Sequence, residues 1–255
     1  MAVKGLLLDL EGVLYQSGAP VLGAAEALRV LAGRGYDIRG LTNTTTRSRK
    51  KISQSLAQMG IDLPADHILS PATTARLLLA EMGVGRIHLA APIDLAEDFA
   101  HLELVDQDPG AVVLGDLHRD FTWDRLDQLF RMIWGGAPLI ALHHNRICRR
   151  DDSIALDLGP FVAALEHAAR TEAIVVGKPS RNFFDLALAD LDLKAAEVLM
   201  IGDDIEADIG GAQGAGIAAY QVRTGKYTER DDEHPIIIPD GRIDSIADLP
   251  EKLEN

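Results

Sequence analysis

Cysteine is almost missing from this chain: Cys148 stands alone among 255 residues, so no internal disulfide can form and the fold must rest on its own core. Aromatic residues are scarce at 5%, which leaves aliphatic side chains to fill that core. Basic residues are outnumbered, 25 Lys and Arg against 39 Asp and Glu, for a formal charge of −14. Such a balance repels polyanions, so neither nucleic acid nor an anionic membrane surface is expected as a partner. No apolar run approaches the ~18 residues of a membrane helix, and Met1-Ala2-Val3-Lys4 passes straight into an apolar stretch with no signal-like segment. These absences lead to the expectation of a soluble, cytoplasmic protein. Cys148 lies near Arg146 and Arg149 in a loop-like stretch without a convincing base and reads as an inert thiol.

What the chain does have is aliphatic residues, 47% hydrophobic overall, enough for one large domain or two modest ones. The first apolar run, Leu6-Leu7-Leu8, stops at Asp9 and is followed by Leu10-Glu11-Gly12. A continuous apolar run of that length predicts a buried parallel strand, and parallel sheets bind ligands at the carboxyl ends of their strands. Taken alone, Asp9 could equally cap a turn. Three later stretches repeat the pattern of an apolar strand ending in polar groups: Gly40-Leu41-Thr42-Asn43, Val175-Val176-Gly177-Lys178-Pro179, and Met200-Ile201-Gly202-Asp203-Asp204 with Asp208 beyond. Together they supply a nucleophile, hydroxyls, an ammonium and an acidic cluster, the inventory for handling a phosphoryl group with a divalent metal.

Between these stretches the spacing of Leu22, Ala25, Leu28 and Leu31 predicts a helix ending at Gly33 and Gly35. Arg47, Arg49, Lys50 and Lys51 read as the solvated face of a helix whose core side is Ile52, Leu56 and Met59. From about Ala75 a fresh α/β alternation begins, with strands at Arg86–Ala90, Ala111–Gly115 and Pro138–Leu142 and a helix over Trp123–Trp134. The first sheet is expected to resume at Ala173–Lys178. The predicted organisation is therefore an α/β fold, a Rossmann-like parallel-sheet core over residues 1–75 and 173–255 with a smaller α/β domain inserted at 76–172. Gly214-x-Gly216-x-x-Ala219 mimics a dinucleotide fingerprint, but these glycines end a helix instead of opening one. His143 and His144 point to opposite faces of a strand and lack partners at ligand spacing, so no metal site is read there.

The four strand ends, in order, resemble the signature of the haloacid dehalogenase superfamily of phosphatases. Gly177-Lys178-Pro179-Ser180, Ile201-Gly202-Asp203-Asp204, Gly210-Gly211-Ala212-Gln213 and Val222-Arg223-Thr224-Gly225-Lys226 carry most of the likeness. The resemblance is to the branch with a large inserted α/β cap of the C2 type, which includes the phospholysine phosphohistidine inorganic pyrophosphate phosphatases. It implies that Asp9 attacks phosphorus and forms an aspartyl-phosphate, with Mg²⁺ held by the Asp9 side chain, the Glu11 main-chain carbonyl and Asp203. It further implies that Thr42, Asn43 and Lys178 grip the phosphoryl oxygens, and that Asp204 and Asp208 orient Lys178 or metal-bound water. One residue departs from the pattern: the superfamily usually has aspartate two residues after the nucleophile as general acid and base, where this chain has Glu11.

By position, the polar stretch His143–Asp152 with Asp157 resembles the substrate-facing loop of the cap, which nominates Asn145, Arg146 and Asp157 as substrate contacts; an ordinary surface loop is the competing reading. Relatives also suggest a homodimer through the cap. The expected function is Mg²⁺-dependent hydrolysis of a small phosphorylated molecule. Cleavage of inorganic pyrophosphate or a phosphoramidate (phospholysine, phosphohistidine) is the first alternative, and a non-catalytic binding or regulatory protein on the same fold is the second.

Overall fold

The computed structural model describes residues 3–150 and 153–254, and the chain forms two compact units. The first takes the chain through Thr42, then Arg49–Leu69, then Lys178 onward; the second takes Asn43–Ser48 and Ser70–Gly177.

The first unit is organised on six parallel strands in the order Gly241–Ile243, Ala218–Val222, Val198–Gly202, Gly5–Asp9, Asp37–Leu41, Ile68–Leu69. Gly5–Asp9 is buried along its whole length, and its side chains alternate between two apolar layers as a pleated strand requires. Leu6 and Leu8 pack with Leu28, Leu31, Leu199 and Ile201 on one face, while Leu7 packs with Met200, Phe183 and Phe184 on the other. Leu6, Leu7 and Leu8 are fully enclosed, a gain of about 1.5–3 kcal/mol apiece, so the strand that delivers Asp9 is firmly anchored on both faces. From it the chain proceeds to Asp37–Leu41 and Ile68–Leu69 on one side and returns through Val198–Gly202 on the other. The strand order therefore reverses at Gly5–Asp9, and a ligand crevice is expected at its carboxyl end.

The helix predicted near residue 22 is present, but it covers Ala24–Gly33 and buries Ala24, Ala27, Leu28 and Leu31. Leu22 lies before it at 93% exposure, because Gly23 takes a left-handed conformation (φ +80°) that breaks the helix off on its N-terminal side.

The second unit has a separate five-stranded parallel sheet, in the order Ile174–Val175, Leu139–Ala141, Ala111–Leu114, Arg86–Ala90, Glu103–Leu104. Helices Pro71–Glu81, Trp123–Trp134 and Gly159–Ala169 supply Leu79, Leu129 and Val162 to its core. An antiparallel hairpin, Ile147–Arg150 with Ser153–Leu156, completes it. Ile174–Val175 is a correction to the sequence reading: it pairs with Leu139–Ala141 of this second sheet rather than re-entering the first. Gly177 permits the arrangement, since a Cβ there would run into the Leu142 carbonyl and the Asn43 side chain, and only from Lys178 does the first unit resume. Among the described residues no helix is long and apolar enough to cross a membrane.

Candidate active site

Strand register brings the polar residues of the first unit to one edge. Asp9 pairs with Leu41 and Leu8 with Ile201, which puts Asp9, Thr42 and Asp203 at successive strand ends of the same sheet. All three are buried, and the Thr42 N–H donates to the Leu69 carbonyl at 3.1 Å. Lys178, buried and followed by a cis peptide bond to Pro179, extends its ammonium between two carboxylates. Its Nζ lies 2.5 Å from Asp9 Oδ1 and 2.6 Å from Asp208 Oδ1. Asp208 comes from the helical turns Ile205–Gly210 that follow the Asp203 strand, and its Oδ2 accepts the Asp204 N–H at 3.1 Å. Asp204 starts those turns, with Oδ1 accepting the N–H groups of Glu206 and Ala207 at 3.1 and 2.9 Å.

The charges are unequal. Asp9, Asp203, Asp204 and Asp208 face two ammonium groups, those of Lys178 and Lys226. With every group ionised, two negative charges are in excess. Burial pushes the Asp9 carboxyl up to about 7, although Lys178 opposes the shift. Burial, then Asp9 and Asp208, push Asp203 up to about 8. Lys178 moves the other way: burial disfavours its charge, but Asp208 and Asp9 outweigh burial and hold it protonated above the ordinary lysine range. Asp204 is lowered, since Lys226 and the Ala207 N–H overcome its burial.

Carboxylate oxygens of Asp9, Asp203 and Asp208 lie within 4.8 Å of one another. Both oxygens of Asp208 already accept hydrogen bonds, from Lys178 and from Asp204 N–H. Asp203 differs. Its Oδ2 accepts the Lys226 N–H at 2.7 Å, but its Oδ1 is buried with no hydrogen-bond partner. An orphaned buried carboxylate oxygen is costly unless a cation meets it, and a few hard oxygen donors with two surplus negative charges suit Mg²⁺. The residues present therefore fit a divalent ion.

Residues 6–104 match the model of the haloacid dehalogenase-like hydrolases, and residues 175–249 match a HAD-hydrolase-like model. The chain belongs to that family. Among the haloacid dehalogenase-like hydrolases it is 42% identical to haloacid dehalogenase-like hydrolase domain-containing protein 2 of Mus musculus, over 91% of this chain and 88% of that protein. It is 37% identical to the phospholysine phosphohistidine inorganic pyrophosphate phosphatase of Danio rerio, over 96% and 92%. The p-nitrophenyl phosphatase from Archaeoglobus fulgidus shares its fold with a TM-score of 0.91 at 27% identity, covering 99% of this chain and all of that one.

Asp9, Lys178, Asp203, Asp204 and Asp208 thus fall together in this hydrolase. Glu11 is exposed just beyond Asp9, where it forms an isolated bridge to Tyr15. Asn43 belongs to the second unit, as do Asn145, Arg146 and Asp157. There Arg146 is exposed, whereas Asp157 is buried, accepts the Leu158 N–H at 2.9 Å and lies 3.8 Å from His143 Nε2. Asp151 and Asp152 of the same polar stretch lie outside the described residues. Sequence reading assigned no role to Thr224, Gly225 or Lys226, although they follow the apolar strand Ala218–Val222 just as Asp9 follows its own.

Proposed function

We propose that this hydrolase is a Mg²⁺-dependent phosphatase that attacks a small phosphorylated substrate with Asp9 and passes through an aspartyl-phosphate. The observation carrying the reading is the pairing of Asp9 with Lys178 at the sheet's carboxyl edge, beside an Asp203 oxygen that is buried and unpartnered. Asp9, the Glu11 main-chain carbonyl and Asp203 would hold the ion, which supplies charge neutralisation between a carboxylate nucleophile and an anionic substrate.

Asp9 forms the new O–P bond as the bond from phosphorus to the leaving oxygen breaks. Lys178, with Thr42 and Asn43, takes the non-bridging oxygens, where charge spreads in the loose transition state. Asp208 holds Lys178 protonated and aimed, and Asp204 fixes the backbone beneath it. Glu11 protonates the departing oxygen, then accepts a proton from the water that releases phosphate from Asp9. The inserted second unit acts as a cap, with Asn145, Arg146 and Asp157 selecting substrate. Exchanging these three should reorder a panel of phosphorylated metabolites; an equal loss on every member would leave them a structural role. The cap also serves as the surface of a homodimer, testable by sedimentation. Pyrophosphate or phosphoramidate cleavage is the second reading, favoured by the 37% identity to a phosphatase of that name.

Phosphate release from p-nitrophenyl phosphate with and without Mg²⁺ tests the main reading, and Asp203→Ala should raise the Mg²⁺ concentration required. The pH dependence has a definite sign. Asp9 and Asp203 are raised from 3.8 to about 7 and 8, so between pH 4 and 8 the metal-free folded chain binds more protons than the unfolded one and loses stability as pH rises. Mg²⁺ displaces those protons, so its affinity should climb by up to about tenfold per pH unit for each proton released. Mg²⁺ should accordingly raise Tm more at pH 8 than at pH 6. Activity indifferent to added Mg²⁺ and to chelator would remove the metal from the reading.

Glu11→Gln keeps the main-chain carbonyl and removes the acid. It should slow alkyl phosphates by about 10² to 10⁴ and p-nitrophenyl phosphate, whose leaving group departs unaided, far less. A uniform loss across leaving groups would exclude Glu11 as the acid.

A further inference from the structure

Asp203 is gripped through one oxygen only. Its Oδ2 accepts the Lys226 N–H at 2.7 Å while Oδ1 has no hydrogen-bond partner. The loop supplying that N–H is tied down on both sides. The Thr224 hydroxyl donates to the Gly12 carbonyl, the Gly225 N–H to Gln16 Oε1 at 3.4 Å, and the Lys226 ammonium to Asp204 Oδ2 at 3.0 Å. Gly12 and Gly225 hold left-handed backbone (φ +96° and +67°), and a Cβ on either would collide with the Asp203 carboxylate. The loop after the first strand and the loop after Ala218–Val222 therefore close on this side chain, linked by the Thr224 hydroxyl and the Gly225 N–H.

We propose that Thr224-Gly225-Lys226 is a positioning segment that occupies one oxygen of Asp203 and thereby presents the other to the metal. The inference rests on the reading of this site as a Mg²⁺ site. Rotation of a carboxylate about its terminal torsion is soft and nearly two-fold, so a free Asp203 would have to be ordered as the ion binds. With Oδ2 already engaged, that ordering is built into the fold. Partners one step removed from a metal typically change its affinity by about 10–100-fold when lost. Lys226 also offers a discriminating sign. As a bystander cation it repels Mg²⁺, so removing the ammonium would tighten binding; as the anchor that ties the loop to Asp204, its removal frees the main-chain N–H that holds Asp203 and loosens binding.

The test is Mg²⁺ titration calorimetry on the parent, Thr224→Val, Thr224→Ser and Lys226→Met, each also melted without metal. Thr224→Val, neutral and nearly isosteric, should weaken Mg²⁺ binding by about 10–100-fold, and Thr224→Ser should restore it. Lys226→Met should weaken it as well, despite losing a like charge. If Thr224→Val lowers only the metal-free Tm and leaves the Mg²⁺ Kd unchanged, the segment is scaffold and the proposal fails. A parent that binds no Mg²⁺ overturns the underlying site reading, an outcome separate from unchanged affinity among variants of a parent that binds.

Discussion

Asp9→Asn should reduce phosphate release from p-nitrophenyl phosphate by about 10³-fold or more, because an amide of nearly the same shape cannot attack phosphorus and loss of a nucleophile removes the covalent route entirely. The fold should survive. Asp9 sits where burial already disfavours its charge, so a neutral side chain is no burden there, and Asn can still accept from Lys178. Activity within tenfold of the parent, with deamidation excluded by mass spectrometry, would remove Asp9 from the nucleophile's role. Acid-quenched parent should in addition carry a phosphate mass adduct that the variant lacks.

Lys178→Met should have the largest combined effect. Methionine fills the volume of the lysine stem, so the change isolates the ammonium. Losing a preorganised charge at a developing anion costs about 10² to 10³ in rate. Stability should fall as well, since Asp9 and Asp208 lose the cation lying 2.5 and 2.6 Å from them, and breaking a buried ion pair from one side costs about 3–5 kcal/mol. The loss should be smaller at pH 6 than at pH 8, because Asp9, raised to about 7, can take a proton and relieve the unpaired charge. Urea unfolding at the two pH values measures it. Equal stability to the parent at pH 8 would mean that Asp9 and Asp208 find other compensation.

Much of this site was readable in the chain because its chemistry stands at the ends of apolar runs. Leu6-Leu7-Leu8 before Asp9 and Met200-Ile201 before Asp203 are each too apolar for a half-exposed strand, and both are central in the sheet. Ile174–Val175 misled for the same reason. Both sheets are parallel and aliphatic, so a two-residue strand carries no mark of the sheet it joins, and the decision was made by close approach at Gly177. Thr42 and Asn43 are neighbours in the chain yet belong to different units, a boundary that no periodicity signals. Lys226 was part of a stretch carrying the family likeness but received no role, because its contact with Asp203 spans 23 residues and uses a main-chain N–H, which every residue but proline possesses.

The position of the first strand also sets a schedule for synthesis. Gly5–Asp9 finds one neighbour soon, at Asp37–Leu41, but the other is Val198–Gly202, most of the chain later. At roughly 5–20 residues per second, a ribosome takes on the order of ten to forty seconds to deliver that second neighbour. Throughout that interval a strand carrying three consecutive leucines presents an open edge, the kind of edge that recruits other chains. The second unit, with a core of its own, is complete before the edge can close.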